Sequence, residues 1–303
     1  MHVTIALCTY KRPHLIGRVL EACFEQDYPA DQYDVVLVND GSPDNTQAVI
    51  DAMRPRAACR FTVVEQANTG LARARNAGLK HVQGAVVAFI DDDVIPMPNF
   101  VSEHAHSHQA RPRSVVRGAV INTTSPDDLP PPIYTLANYS GNFFWTSNVS
   151  VAKRELDAVG WFDESFAEYG WEDIEIGMRL RKAGLRGVFN KRALAFHVKP
   201  PPQGHNLAGM LRQAQAQART AVRLGDVHPH WRVALATGNL LPQRAFHGIL
   251  RRAGAQALLG RLAGGPDQSR ELGALQRLAV SALAREAYFE ELDRTIAQRR
   301  SGV

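Results

Sequence analysis

The chain has 303 residues, 45% hydrophobic and 21% charged, enough for one large or two modest domains around a buried core. That profile excludes a disordered or fibrous protein, and no run approaches the roughly 18 apolar residues of a membrane-spanning helix. The net charge of +5 is uneven: residues 204–303 hold 14 arginines, no lysine and 7 acidic residues, leaving 21 basic and 23 acidic residues before them, a balance that argues against a nucleic-acid-binding catalytic half.

From Val3 to about Ile121, short β-branched runs alternate with segments of helical period. The first run, Val3 to Leu7, opens the chain without a basic-then-hydrophobic leader, and a cytoplasmic location is expected from that. Leu15, Ile16, Val19, Leu20, Cys23 and Phe24 then recur at helical spacing. A second run covers Val35–Val38, and Asp44 or Asn45 is placed to cap a helix through Ala48–Ile50. Further runs lie at Phe61–Val64, Ala85–Ile90 and Ser114–Val116. Cys8, Cys23 and Cys59 are too few and too scattered for a disulfide framework or a zinc site; Cys8 and Cys23 sit in apolar patterns and read as packing. Strands that read as continuous apolar runs between helices predict a mainly parallel α/β sheet covered on both faces.

Ligands in such sheets bind past the carboxyl ends of the strands. The first four runs there end in Thr9-Tyr10-Lys11-Arg12, Asn39-Asp40-Gly41-Ser42, Gln66-Ala67-Asn68-Thr69-Gly70 and Asp91-Asp92-Asp93. These exits should converge on one cleft. Three adjacent aspartates repel one another, and a hard oxygen-rich cluster suits magnesium or manganese; the plainer alternative is a turn capping a helix near Pro98.

The stretch Pro126–Pro132 reads as a surface excursion, and Pro200–Pro202 as a stiff break. Between them, Glu172-Asp173 opens a helix that Gly184 can close, so both carboxylates could be simple N-terminal caps. His197 lies in the apolar run Ala193–Val198. Trp145, Trp161 and Trp171 concentrate aromatic surface in the same region. The tail is helical in pattern: Leu207, Met210, Leu211, Ala214, Ala218, Ala221 and Val222 form a stripe opposite Arg212, Arg219 and Arg223. Two further helical segments are expected around Arg244–Leu262 and Glu271–Ile296. Packing in a bundle is the favoured use of this basic tail; peripheral contact with the inner membrane face, or oligomerisation, is the alternative.

Taken in order, Thr9-Tyr10-Lys11-Arg12, Asn39-Asp40-Gly41-Ser42, Asn68-Thr69-Gly70, Ala74-Arg75-Asn76-Ala77-Gly78, Asp91-Asp92-Asp93, Val159-Gly160-Trp161-Phe162-Asp163-Glu164 and Trp171-Glu172-Asp173-Ile174-Glu175 resemble the family 2 glycosyltransferases. The resemblance covers roughly Met1 to Lys199. It implies a GT-A fold over 1–203, with a nucleotide half to about 121 and an acceptor half over 122–203; the pattern of the residues adds a helical C-terminal region over 204–303.

The resemblance further implies an inverting transfer of a sugar from a nucleoside-diphosphate donor, a UDP-sugar foremost, to a hydroxyl acceptor that is a glycan, lipid-linked or a small molecule. By that resemblance Thr9, Tyr10, Arg12 and Asp40 hold the nucleotide base, Asn68 and Arg75 make further nucleotide contacts, and Asp91 takes the ribose with Asp92 as a supporting charge. Asp93 and His197 would hold Mn2+ or Mg2+, Asp173 would be the general base beside Glu172, and Trp171 would meet the acceptor. A solvated face or a salt bridge to the acidic cluster is the competing reading of Arg75, and a turn that of Asp40. A nucleotidyltransferase would want a glycine-rich loop after the first strand, which Thr9-Tyr10-Lys11-Arg12-Pro13 lacks; a non-catalytic nucleotide- or glycan-binding protein is the other class.

Overall fold

The computed structural model describes residues 1–135, 138, 141–199, 207–252, 255–263 and 273–301. The break expected at Pro200–Pro202 lies outside the described residues. Packing divides the chain into two units: Met1–Ala167 with Glu172–Pro200, and Glu168–Trp171 with Pro201–Val303.

In the first unit β1 (Val3–Thr9), β2 (Tyr33–Asp40), β3 (Arg60–Gln66) and β4 (Val86–Phe89) pair in parallel in the order β3-β2-β1-β4. Side chains alternate along each strand, so one run feeds two layers. Val3, Ile5 and Leu7 join one core with α1 (Ile16–Phe24), Ile50 of α2 (Thr46–Met53) and Phe100 and Val101 of α4 (Phe100–Ala110). Ala6, Val87 and Phe89 join the other, with α3 (Leu71–Leu79), α5 (Lys153–Val159) and α6 (Glu172–Lys182). Strand order reverses at β1 and β4, and that crevice is where a doubly wound sheet takes its ligand.

Past β4 the sheet is mixed. β5 (Val94–Pro96), β6 (Ser114–Thr123), β7 (Val149–Ala152) and β8 (Arg186–Val198) complete the order β3-β2-β1-β4-β7-β6-β8-β5. Four of the seven pairings are parallel, as expected of the sheet; the three antiparallel ones all fall in this second half. Helix α6 closes as its sequence predicts: Gly184 adopts φ 89° and the Leu185 N–H reaches back to the Leu180 carbonyl. The cap of α2 comes from Asp44, which accepts from the Thr46 N–H, whereas Asn45 makes no capping bond.

A buried polar chain ties α4 to β7. The Ser150 hydroxyl meets His104 Nδ1 at 2.7 Å and His108 Nε2 at 2.8 Å, and His104 Nε2 meets the Asn148 amide at 3.0 Å. Burial depresses both imidazoles, to about 3 at His104 and about 4 at His108, from the ordinary 6.5. Each is neutral when folded, so the unfolded chain binds more protons below pH 6.5. Stability present above 6.5 should therefore fall as pH drops toward 4, and His104→Asn/His108→Asn should flatten that slope in denaturant titrations. An unchanged slope would exclude the pair as its source.

The second unit holds α7 (Leu207–Val227), α8 (Trp231–Ala236), α9 (Leu241–Arg252), α10 (Ala255–Ala263) and α11 (Ala274–Arg300). Ala218, Ala221 and Val222 of the α7 stripe pack with Phe289 and Leu292 of α11. Arg219 pairs with Glu168 and with Glu291. The predicted segment Arg244–Leu262 is two helices, and α8 had no periodicity long enough to find it. No helix among the described residues is long and apolar enough to cross a membrane.

Candidate active site

The exits of the parallel strands do converge, and hydrogen bonds show how. Backbone N–H groups of Lys11 and Arg12 donate to Ser42 Oγ and Thr46 Oγ1, tying the end of β1 to that of β2. Asp40, buried at the end of β2, accepts from the Thr69 N–H at 3.0 Å, the Gly70 N–H at 3.1 Å and Gln66 Nε2 at 2.7 Å. Asn68 Nδ2 donates to the Asp40 carbonyl. Asp40 thus holds the β3 exit in place, a structural role other than the Asp-Gly turn weighed for it in the sequence. The approach is close enough to require glycine: at Gly41, φ is 71° and a Cβ would lie 2.5 Å from the Asn68 backbone nitrogen.

The acidic triplet follows β4 and caps no helix, since α4 begins beyond it with Asn99 at the cap. Thr9 Oγ1 donates to Asp92 at 2.8 Å, and Arg12 reaches Asp92 at 3.5 Å and Asp93 at 3.3 Å. Burial, offset by Arg12 and reinforced by Asp93, pushes Asp92 up to about 6. Asp93 goes the other way. Burial alone would raise it, but the hydrogen bond and charge of His197, then Arg12, hold it below the usual carboxylate value. Tyr10 is exposed at the rim, with the Lys11 ammonium 5.0 Å from its ring centroid.

Arg75 of α3 is the hub. Its guanidinium is buried; it donates to Glu172 at 2.7 Å and to Thr146 Oγ1 at 2.7 Å, and reaches Asp91 at 3.4 Å. It also lies over the Phe162 ring. The triplet and the α6 carboxylates are therefore one cluster, and the salt bridge weighed for Arg75 in the sequence is present. Glu172 Oε2 is buried without a hydrogen-bond partner. Asp173 is half-buried and accepts from the Ile174 N–H. Burial first, then repulsion from Glu172, pushes Asp173 up to about 7 against the pull of Arg75.

His197 Nε2 lies 3.2 Å from Asp93 Oδ1, because β8 and β5 set Val94 opposite His197. Its Nδ1 is buried without a partner. No group of three or more side-chain ligands occurs among the described residues. A carboxylate and an imidazole alone suit a divalent cation that completes its shell with water and substrate phosphate oxygens.

Two site residues had escaped the sequence reading. Ser147 Oγ donates to Asp91 at 2.5 Å, and Thr146 meets Arg75; their one signal was a short polar run just ahead of the β-branched strand β7. Trp171 is placed otherwise than as an open platform. It adopts φ 71°, donates its indole N–H to the Gln217 carbonyl at 2.9 Å and packs with the α7 cluster of the second unit. Trp161 bonds Asp157 and lies under the Lys153 ammonium.

The chain is 26% identical over 219 residues to validoxylamine A glucosyltransferase of Streptomyces hygroscopicus subsp. jinggangensis, covering 60% of this chain and 52% of that protein. It is 25% identical to chondroitin synthase of Escherichia coli over 66% of this chain and 35% of the other. The chain spans about half the length, or less, of these curated relatives. Among solved structures, TarS 1-349 of S. aureus with UDP-GlcNAc superposes with a TM-score of 0.59 at 16% identity, over 100% of this chain and 92% of that one. The mannosyltransferase PcManGT of Pyrobaculum calidifontis, with GDP-Man and Mn2+, gives 0.59 at 21% identity over 98% and 86%. Both likenesses are of fold, and that fold is GT-A. Residues 4–155 match the family model Glycosyl transferase family 2, and the chain belongs to that family.

Proposed function

We propose that this chain transfers a sugar, with inversion, from a nucleoside-diphosphate donor to a hydroxyl acceptor. The observation that carries the reading is Arg75, which joins Asp91 of the strand-exit cleft to Glu172 beside Asp173. One buried side chain thereby sets a nucleotide cleft and a candidate base at fixed separation.

In this reading Thr9, Tyr10, Arg12 and Asp40 face the base, Asn68 and Arg75 make further nucleotide contacts, and Asp91 meets the ribose. Uridine is the favoured base, since the TarS complexes hold UDP and UDP-GlcNAc, although PcManGT holds GDP-Man. Asp93 and His197 would hold Mn2+ or Mg2+, with Asp92 as a supporting charge. A cation there supplies Lewis-acid stabilisation for the departing diphosphate. Asp173 takes the proton from the acceptor hydroxyl as its oxygen bonds to the anomeric carbon. The carbon–phosphate-oxygen bond breaks on the opposite side, and the pair of electrons leaves with the nucleoside diphosphate. Glu172, pinned by Arg75, positions Asp173 and raises its proton affinity by repulsion. Trp171 enters as the residue that leads into this pair; its proposed contact with the acceptor rests on its place in the chain.

Calorimetry against a panel of nucleoside diphosphates with Mn2+ tests the reading directly, and binding of none would sink it. Asp93→Ala should abolish the metal dependence of donor binding and lower metal-supported donor hydrolysis by about 10²–10³-fold, the scale of losing a transition-state charge stabiliser. Unchanged turnover would remove Asp93 from the metal site.

A further inference from the structure

Helix α9 is inside out. Its face toward α11 is polar: Arg244 pairs with Asp293 at 2.7 Å, and buried His247 pairs with Glu286 at 2.6 Å while stacking on Phe289. Its outward face is apolar, with Leu241, Phe246 and Ile249 exposed by 74%, 58% and 66%. A surface helix of a self-contained bundle shows the reverse arrangement. The surroundings share the trait. Trp231 and Leu235 on α8, Leu262 on α10, and Leu275 and Leu278 on α11 are exposed as well. Among the described residues, eight of the thirteen exposed large apolar side chains thus fall between Trp231 and Leu278, a concentration that marks a covered surface rather than scattered exposure.

Charge selects what covers it. Between Asp226 and Asp267 the chain has five arginines and no acidic residue; Arg244 is turned inward onto Asp293, which leaves four. A second copy seated across a two-fold axis would set this positive stretch against itself, at a cost in repulsion. An anionic bilayer accepts both halves of the pattern. Leucine, phenylalanine and isoleucine enter the boundary between headgroups and acyl chains, and arginines fork onto lipid phosphates.

We propose that α9 docks this protein on the surface of a membrane containing anionic phospholipid, lying in the membrane plane. The docking surface is not the α7 stripe, which is buried against α11. It stands apart from the transferase reading, because its measurement needs neither donor nor acceptor.

The test is flotation of the full chain with vesicles of phosphatidylglycerol and phosphatidylcholine, beside vesicles of phosphatidylcholine alone. Wild type should float with the mixed vesicles, far less with the neutral ones, and release as salt is raised. Leu241→Ser/Phe246→Ser/Ile249→Ser should weaken partitioning by about tenfold or more, with its thermal midpoint and helical circular dichroism unchanged, because those side chains leave water only at the membrane. Phe246→Asp alone serves if the triple variant is unstable. Wild type that ignores anionic vesicles overturns the proposal, as does equal binding to both vesicle types. A concentration-dependent dimer that disappears in the variant without any vesicle binding overturns it in favour of a second copy.

Discussion

Asp173→Asn should lower transfer by about 10²–10⁴-fold, the range of a lost general base, while donor affinity stays near that of wild type. Its sign in stability is opposite. The Asp173 carboxyl is raised to about 7 by burial and by Glu172, so its ionisation opposes folding as pH climbs from its ordinary 3.8 to that value. The amide removes that opposition, and the variant should melt higher than wild type at pH 8. A rise in melting temperature with loss of transfer separates a missing base from a damaged fold. The wild-type rate should climb with pH through about 7, since the deprotonated form is the active one. Full activity of the variant, or a rate flat in pH across that window, would exclude Asp173 as the base.

Arg75→Met should do damage of a different kind. Arg75 and Glu172 are 5% and 6% exposed, and removal of the cation leaves a buried carboxylate with neither oxygen paired to a charge. Breaking such a pair from one side costs about 3–5 kcal/mol. Denaturant melts should show that loss, together with loss of transfer. Arg75→Met/Glu172→Gln should recover a good part of the stability without the activity, because no unpaired charge is left buried. A double variant as unstable as the single one would place the role of Arg75 in its contacts with Thr146 and Asp91 instead.

The parallel half was legible because its strands are buried on both faces and therefore read as uninterrupted apolar runs. The same rule located the cleft, since the polar ends of those runs had to gather at one edge. What stayed hidden was structure whose environment changes along its length. β8 is mostly exposed over Arg186–Arg192 and mostly buried over Ala193–Val198, so only its second part gave an apolar run. β5 has three residues and β7 four, too short for a period. Arg75 carried two readings because a helix face can meet solvent or a buried acid with the same sequence. Its two shortest contacts come from positions 71 and 97 residues away, beyond the reach of local pattern.

The strand order also has a bearing on the sequence of folding events. β1 to β4 pair through crossovers of modest length, so that half can assemble by closing short loops one after another. β5 finds its partner only when β8 arrives, about a hundred residues later, which is a slow closure set by chain entropy. Asp93 and His197 meet across that last pairing. A chain caught part-way would hold the crevice of the parallel strands formed with Asp93 and His197 still apart, so the two parts of the site would take shape at different times during synthesis.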